Sequence, residues 1–149
     1  KTSRKWPLVL AGVPGSYGYD EIEKLANEPD LKQDIILLGY ISQDNYPKLM
    51  ASAAGFVFPS KFEGFGLPPL EAIASGVPVT CSDIPALHEV VGDAALYFDP
   101  DNIEDIKNKI EIIFNDQEQR SDLIAKGLER AKQFSWSKVA RQTLDYILE

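Results

Sequence analysis

Two glutamates and the turn between them are the part of this sequence whose residue types and spacing can do chemistry. Glu63 and Glu71 flank a short stretch that contains two glycines and then two prolines. Glycine lets the backbone turn tightly and approach a ligand closely, because it has no Cβ. Proline suits the first turn of a helix, where a backbone N–H has no partner. The spacing therefore predicts a helix start with free N–H groups at Gly66 and Leu67, which favours an anion such as a phosphate.

A carboxylate beside a phosphate site is unfavourable unless it accepts hydrogen bonds from hydroxyl groups. Sugar and ribose hydroxyls are such donors, and each hydrogen bond to a charged group contributes roughly 1.5–3 kcal/mol. We therefore expect Glu71 beside a ribose and Glu63 beside a hexose. From the residues alone a second interpretation stays equally open. In it, Glu63 is a solvated loop residue and Glu71 is an acid that stabilises the first turn of a helix.

Short apolar runs alternate with amphipathic stretches, and this alternation predicts the elements that position the turn. The predicted strands are Leu8–Ala11, Ile35–Leu38, Gly55–Phe58, Val77–Cys81 and Ala95–Phe98. None alternates cleanly between apolar and polar residues, so we expect both faces of the sheet to be covered. The predicted helices between them are Tyr19–Asn27, Ser42–Ala53 with Ser42 as N-cap, Pro68–Ser75 and Ala86–Val91. The pattern is typical of an α/β fold with a doubly wound parallel sheet.

Three helices are predicted to follow Pro100, with Asp101 or Asn102 and then Ser135 as N-caps. Their ranges are Asn102–Asn115, Gln117–Lys132 and Ser135–Glu149. The chain therefore reads as one domain with a helical C-terminal part. Ligands of doubly wound sheets bind at the carboxyl ends of the strands. The loops at those ends are Gly12–Gly18, Gly39–Ser42, Pro59–Leu67 and Ser82–Pro85.

Composition excludes several classes of function. A net charge of −8 argues against nucleic acid as a partner, because phosphate backbones are bound by basic surfaces. The single Cys81 allows no internal disulfide and is expected to be a small buried side chain, and the single His88 allows no histidine cluster for zinc. No apolar run approaches the ~20 residues of a membrane span. We expect no signal peptide and a cytoplasmic location.

The stretch Phe58–Val79 resembles the E-x7-E region of retaining GT-B glycosyltransferases of the large group 1 family (family 4). Gly39–Ser42 resembles the base-binding turn of that family, Ser82–Phe98 its next loop and strand, and Phe134–Trp136 the start of its last helix. The resemblance covers nearly the whole chain. It implies the donor-binding C-terminal half of a two-domain enzyme, here incomplete and without the N-terminal acceptor domain.

The resemblance also implies a role for each site residue. Glu63 would contact the hydroxyls of the transferred sugar and help to stabilise positive charge at its anomeric carbon. Glu71 would hold the ribose hydroxyls, and the backbone of Tyr40 and Ile41 would meet the base. The backbone amides that would contact the sugar and the diphosphate are those of Gly64, Phe65, Gly66 and Leu67.

The implied reaction moves a hexose from a nucleoside diphosphate to an acceptor hydroxyl with retention of the anomeric configuration. GDP-mannose is the favoured donor and UDP-glucose-type donors come second. Amides and cations stabilise the leaving diphosphate, and we expect no metal or other cofactor. The phosphate-binding Arg and Lys of the family lie before the first strand and outside this chain, and Arg4 and Lys5 are better explained as the end of a preceding helix. The isolated chain should not transfer sugar, and any peripheral membrane association would arise through the missing domain.

Two further motifs have simpler explanations, and two alternative functions stay open. Asp99-Pro-Asp101 has the letters of a D-x-D metal motif, but a turn and a helix cap explain both acids. The loop that starts at Gly12 has the spacing G-x-x-G-x-x-G rather than that of a dinucleotide fingerprint, and is interpreted as a phosphate-side or lid loop. The alternative functions are a non-catalytic module that binds a nucleotide sugar, and an NAD-dependent dehydrogenase domain.

Overall fold

The computed structural model describes residues 6–16 and 18–148, so the interpretation of Arg4 and Lys5 lies outside it. Strands and helices alternate up to residue 98, and helices alone follow. The elements are β1 (Leu8–Ala11), α1 (Tyr19–Ala26), β2 (Ile35–Gly39), α2 (Tyr46–Ser52), β3 (Phe56–Phe58), α3 (Leu67–Ala74), β4 (Val79–Ser82), α4 (Pro85–Val91), β5 (Ala95–Phe98), α5 (Ile103–Asn115), α6 (Gln117–Ala131) and α7 (Trp136–Leu148). The chain forms two compact units, Lys1–Lys48 and Leu49–Glu149.

In the first unit β1 and β2 form a parallel pair, with Leu8 opposite Ile35. Helix α1 packs against β2. The side chains of Leu8 and Ile36 are exposed by 48% and 42%, and β2 alternates between half-buried and exposed residues. The expectation that both faces are covered is therefore wrong for these two strands. The sequence of such a short apolar run does not distinguish a strand buried on one face from a strand buried on both faces.

In the second unit β3, β4 and β5 form a parallel sheet with β4 at its centre. Val79 of β4 lies between Phe56 of β3 and Ala95 of β5, and every residue of β4 is buried. Helices α3 and α5 pack on this sheet, and α6 packs on α3 and α5. The largest side chains of the resulting core are Phe98, Ile73, Leu87, Ile113 and Leu123. The predicted α/β fold with parallel strands is confirmed.

The sheet of the second unit brings the carboxyl ends of its three strands to one edge. The hydroxyl of Ser82, at the end of β4, donates to the carbonyl oxygen of Phe58, at the end of β3, over 3.5 Å. Ser82 also lies opposite Phe98, the last residue of β5. The loops after β3, β4 and β5 therefore start side by side, as the parallel topology requires.

Two of the three predicted N-caps are confirmed. The side chain of Asn102 accepts from the N–H of Asp105 at the start of α5, and the Ser135 hydroxyl accepts from the N–H of Lys138 in α7. The prediction for Ser42 is wrong, since α2 begins only at Tyr46. The intervening residues form turns, and Pro47 at the second position of α2 favours a helix start at that later point.

Helix α7 differs from the other helices of this unit because none of its residues is buried. Trp136, Tyr146 and Ile147 are exposed by 70% or more. Across the described residues, no helix combines the length and the apolar character that crossing a bilayer requires.

The packing of α6 on α3 depends on the absence of a side chain at Gly127. A Cβ there would lie 2.9 Å from the Cβ of Ile73, which cannot swing away because it is the base of a branched side chain. We expect Gly127→Val to lower the free energy of unfolding by roughly 1–3 kcal/mol, the usual effect of overpacking. Ala125→Val, at an exposed position of the same helix, should change it by no more than about 0.7 kcal/mol. Urea unfolding of both variants tests this, and equal effects would contradict the close packing.

Candidate functional site

The turn between the two glutamates ends in a glycine that starts a helix. Gly66 has φ 100° and ψ 52°, a left-handed conformation, and stands directly before α3. Pro68 and Pro69 occupy the second and third positions of α3, so they lie in its first turn as predicted, although the helix begins one residue earlier than predicted. Within the described residues, the N–H groups of residues 64–67 donate no hydrogen bond to another group of the protein. Consecutive unpaired N–H groups at a helix start form the kind of site that binds an anion.

The left-handed glycine also lies against a neighbouring helix. A Cβ on Gly66 would be 2.5 Å from the Cδ2 atom of Leu87 in α4, and Leu87 is completely buried. Among the described residues, no heavy atom lies within 4 Å of a Cβ built on the neighbouring Gly64. Both the backbone conformation and the lack of space therefore exclude any residue other than glycine at position 66. Neither constraint applies at Gly64.

The two carboxylates flank this turn without any partner among the described residues. Glu63 is half-buried in the loop after β3, and Glu71 is exposed on α3. Neither side chain makes a hydrogen bond or an ion pair with another described residue. Glu71 lies in the second turn of α3 rather than the predicted first turn, because the left-handed Gly66 starts the helix at Leu67. Both carboxylates are thus available to accept hydrogen bonds from a ligand.

Further polar groups lie at the same edge of the sheet. Lys61, two residues before Glu63, forms an ion pair with Asp101 in the loop after β5. In the loop after β4, Asp83 lies 2.6 Å from the Nε2 atom of His88, and the His88 ring stacks on Tyr97 with 3.8 Å between centroids. Sequence reasoning missed these three contacts, because none of the residues belongs to a recognised motif and Lys61 lies 40 residues from Asp101.

The structure supports the interpretation of Asp99 as a turn residue, whereas the cap of α5 is Asn102 and not Asp101. The Asp99 carboxylate accepts from the N–H of Asp101 over 2.9 Å, and the N–H of Asp99 donates to Asp105 of α5 over 2.9 Å. Asp101 is paired with Lys61. Among the described residues, no group of three histidines, cysteines or acids is arranged to hold a metal ion. The D-x-D letters therefore mark a loop held by hydrogen bonds from backbone N–H groups to carboxylates and by one ion pair.

The predicted base-binding and lid residues lie in the first unit. The N–H of Gly12, just after β1, donates to the carbonyl oxygen of Gly39 at the end of β2 over 3.0 Å. Tyr40, which follows, is 73% exposed, and Ile41 is half-buried. The structure thus brings Gly12 and the turn at Tyr40 and Ile41 to the same edge of the two-stranded sheet.

Cys81 is not a nucleophile of this site. It is completely buried at the third position of β4, as expected for a small apolar side chain. Burial, with a smaller contribution from the charge of Asp83, raises the pKa of its thiol to about 12. Because the thiolate is the reactive form of cysteine, the side chain is inert at neutral pH.

A groove of about 480 Å³ lies elsewhere, at the amino end of β5. The two basic side chains of this groove already bind other groups of the protein. Lys126 lies 2.7 Å from Asp122, and Arg130 donates from Nε to the Val90 carbonyl oxygen over 2.9 Å. Its lining residues are Gly92, Asp93, Ala125, Lys126, Glu129, Arg130 and Gln133. None of them belongs to the predicted site, which lies at the opposite ends of the strands.

Comparison with known proteins identifies the family. The sequence profile of the family described as "Glycosyl transferases group 1" matches residues 1–130. The O-antigen chain mannosyltransferase B of Escherichia coli is 41% identical over 145 residues, which are 97% of this chain and 38% of that protein. The serotype-specific mannosyltransferase WbdA of Escherichia coli is 34% identical over 95% of this chain and 18% of its own length. The chain belongs to the group 1 glycosyltransferases and spans well under half the length of these curated relatives.

Solved structures show the same fold. The sucrose-phosphate synthase of Thermosynechococcus elongatus superposes with a TM-score of 0.81 at 30% identity, over 94% of this chain and 37% of that one. Anabaena HepE, solved in complex with UDP and glucose, superposes with a TM-score of 0.85 at 22% identity, over 95% of this chain and 40% of that one. The GT-B-type fold predicted from the resemblance is confirmed.

The turn at Gly66 should tolerate no side chain. Gly66→Ala puts an L residue into a left-handed conformation that costs roughly 1–3 kcal/mol and also drives a Cβ into Leu87. We expect thermal unfolding to show a clear loss of stability for Gly66→Ala. Adding Leu87→Ala removes the clash but not the backbone strain, so the double variant should not regain the stability of the parent protein. The matched change Gly64→Ala brings its Cβ near no atom of the described residues, so its free energy of unfolding should stay within about 0.5 kcal/mol of that of the parent protein. Equal stability of the two single variants would show that the turn is not constrained.

Proposed function

We propose that this member of the group 1 glycosyltransferases holds a nucleotide-sugar donor at the turn between Glu63 and Glu71. One observation carries the proposal: unpaired backbone N–H groups at the left-handed start of α3 stand between two carboxylates that have no partner among the described residues. A nucleotide sugar supplies what each group lacks, phosphate oxygens for the N–H groups and hydroxyls for the carboxylates.

The N–H groups of Gly64 to Leu67 would act on the diphosphate. During transfer the bond between the anomeric carbon and the diphosphate oxygen breaks, and negative charge develops on that oxygen. Fixed N–H groups and the helix dipole of α3 stabilise such charge without having to reorganise. The cations that complete this stabilisation would come from outside the chain, and we expect no metal or other cofactor to be needed.

The two glutamates would have separate roles. Glu63, half-buried at the turn, would accept hydrogen bonds from the transferred hexose and stabilise positive charge at its anomeric carbon. Glu71, exposed on α3, would accept from the ribose hydroxyls. The backbone of Tyr40 and Ile41 would contact the base, with Gly12 beside them. The product would keep the anomeric configuration of the donor.

GDP-mannose is the donor we favour. The relatives at 41% and 34% identity are named as mannosyltransferases, and mannose is accordingly the first sugar to test. UDP-glucose comes second, because HepE, which has the same fold, is solved in complex with UDP and glucose.

The acceptor would be bound by a part of the protein that this chain does not include. The chain covers only 38% of the mannosyltransferase that it matches at 41% identity. We propose that an N-terminal acceptor domain completes the site in the full-length protein, that this protein acts in the cytoplasm, and that any contact with a membrane surface is made through that domain.

The role of Glu63 is tested in the full-length protein with GDP-mannose and UDP-glucose. Glu63→Gln keeps the size of the side chain and removes its charge, so it should lower kcat by 100-fold or more, on the order of the loss seen when a group that stabilises transition-state charge is removed. Nucleotide affinity should change by less than about threefold. Glu118→Gln, at an exposed position of α6, serves as control. Unchanged turnover of the Glu63 variant would make Glu63 a loop residue and favour a non-catalytic binding module.

The role of Glu71 is tested by nucleotide binding rather than by turnover. Glu71→Ala removes a charged acceptor worth roughly 1.5–3 kcal/mol, so calorimetry should show the affinity for GDP or UDP falling about 10- to 100-fold. The affinity for the free bases, which lack the ribose, should not change. An equal loss for base and nucleotide would mean that Glu71 contacts something other than ribose. Tight binding of NAD without binding of any nucleotide sugar would instead favour the dehydrogenase interpretation.

A further inference from the structure

We propose that Phe134 is a positioning residue for the donor-binding turn. It lies between α6 and α7, in the segment Phe134–Trp136 that leads into the last helix. The inference rests on the proposed function, since it assumes that the amides of the turn contact the donor. Phe134 would act through Phe65, and through it on the peptides on either side.

The first link is an edge-to-face contact between the two rings. The centroids of Phe65 and Phe134 lie 6.0 Å apart and their planes meet at 84°. This is a favoured arrangement of aromatic rings, in which the positive edge of one meets the negative face of the other. Phe65 is 42% exposed and stands between the two glycines of the turn. Its ring therefore gives an otherwise glycine-flanked segment a point of attachment.

The second link fixes Phe134 itself. The guanidinium carbon of Arg130 lies 5.1 Å from the centroid of the Phe134 ring, within the range of a cation–π interaction. Arg130 is held in turn by three contacts: Nε donates to the Val90 carbonyl oxygen over 2.9 Å, Nη2 donates to that of Glu89, and Nη1 donates to Gln133 over 2.6 Å. An arginine fixed at three points is a rigid support for the ring above it.

The contacts that hold Phe65 lead back to α4, the helix that also contacts Gly66. Glu89 and Val90 belong to the last turn of α4, and Leu87 of α4 lies against Gly66. Phe65 and Gly66 are consecutive, so α4 holds one through Arg130 and Phe134 and the other directly. The peptide between them is thus fixed from both sides. Its N–H is among those that have no partner in the described part of the protein.

A purely structural role would have a different signature. Phe134 is half-buried and Phe65 is partly exposed, so the pair lies outside the buried core of the second unit. If Phe134 only filled space, its loss would lower stability and leave the donor site of the folded molecules intact. If it positions the turn, its loss should weaken donor use in molecules that are still folded.

The test uses the full-length protein with GDP-mannose and UDP-glucose as donors. Phe134→Leu keeps an apolar side chain and removes the ring, and should lower kcat/KM for the accepted donor by about tenfold or more at temperatures well below unfolding, since small displacements of a binding group are costly. Phe134→Tyr keeps the ring and should retain activity within about threefold of the parent, a range of about 0.7 kcal/mol. Leu128→Ala on α6, equal to Phe65 in exposure, is the control for loss of apolar surface.

A double variant shows whether Phe65 and Phe134 act through their mutual contact or independently of each other. Because both residues act through one contact, Phe65→Leu with Phe134→Leu should be no worse than the more severe single change. Multiplying losses, or losses in Phe134→Leu that only follow the folded fraction, would overturn the inference while the proposed function stands. Failure of the parent protein to bind or use any nucleotide sugar would overturn both.

Discussion

The absence of a side chain at Gly66 lets the backbone of the turn rest on Leu87, and the geometry of the site depends on that contact. Leu87 is completely buried in α4, and α4 follows the central strand β4 directly. The sheet therefore fixes α4, α4 fixes Gly66, and Gly66 fixes the point at which α3 begins. A residue with a Cβ would lose the left-handed conformation and the space together. The start of α3 is thus set by the core rather than by the loop that precedes it.

Opposite electrostatic demands meet at this one turn. The amino end of α3, with N–H groups that are unpaired within the described part of the chain, favours negative charge. Glu63 and Glu71, whose carboxylates have no partner in that part of the chain, disfavour it. Either demand alone would be met by an ion or by water. Both are met by a ligand that carries phosphate oxygens at one place and hydroxyls at others, which describes a nucleotide sugar. The membership of the chain in the group 1 glycosyltransferases agrees with this chemistry.

The sequence was informative wherever the determining contacts are local. Strands β1 and β5 have the predicted bounds, because each is a short apolar run closed by turn residues, and the caps Asn102 and Ser135 act on the helix that follows them. The predicted N-cap at Ser42 is wrong because turns intervene before α2 begins beside Pro47. Helix α3 begins one residue earlier than predicted, at Leu67, because the conformation of Gly66 and not the prolines sets its start, and this puts Glu71 in the second turn. Contacts made only through the fold, such as Lys61 with Asp101, left no pattern along the chain.

The central claim is that the turn at Gly64 and Gly66 binds the donor. The chain contains ten glycines, so glycine-selective ¹⁵N labelling gives a simple amide spectrum in which binding can be followed even if it is weak. On titration with GDP-mannose, and separately with UDP-glucose, the account predicts that the amide signals of Gly64 and Gly66 shift with a common saturation curve, while that of Gly127, in the α3–α6 contact, stays in place. Signals of Gly64 and Gly66 that do not move with either donor, while those near the distant groove at Gly92 do, would contradict it.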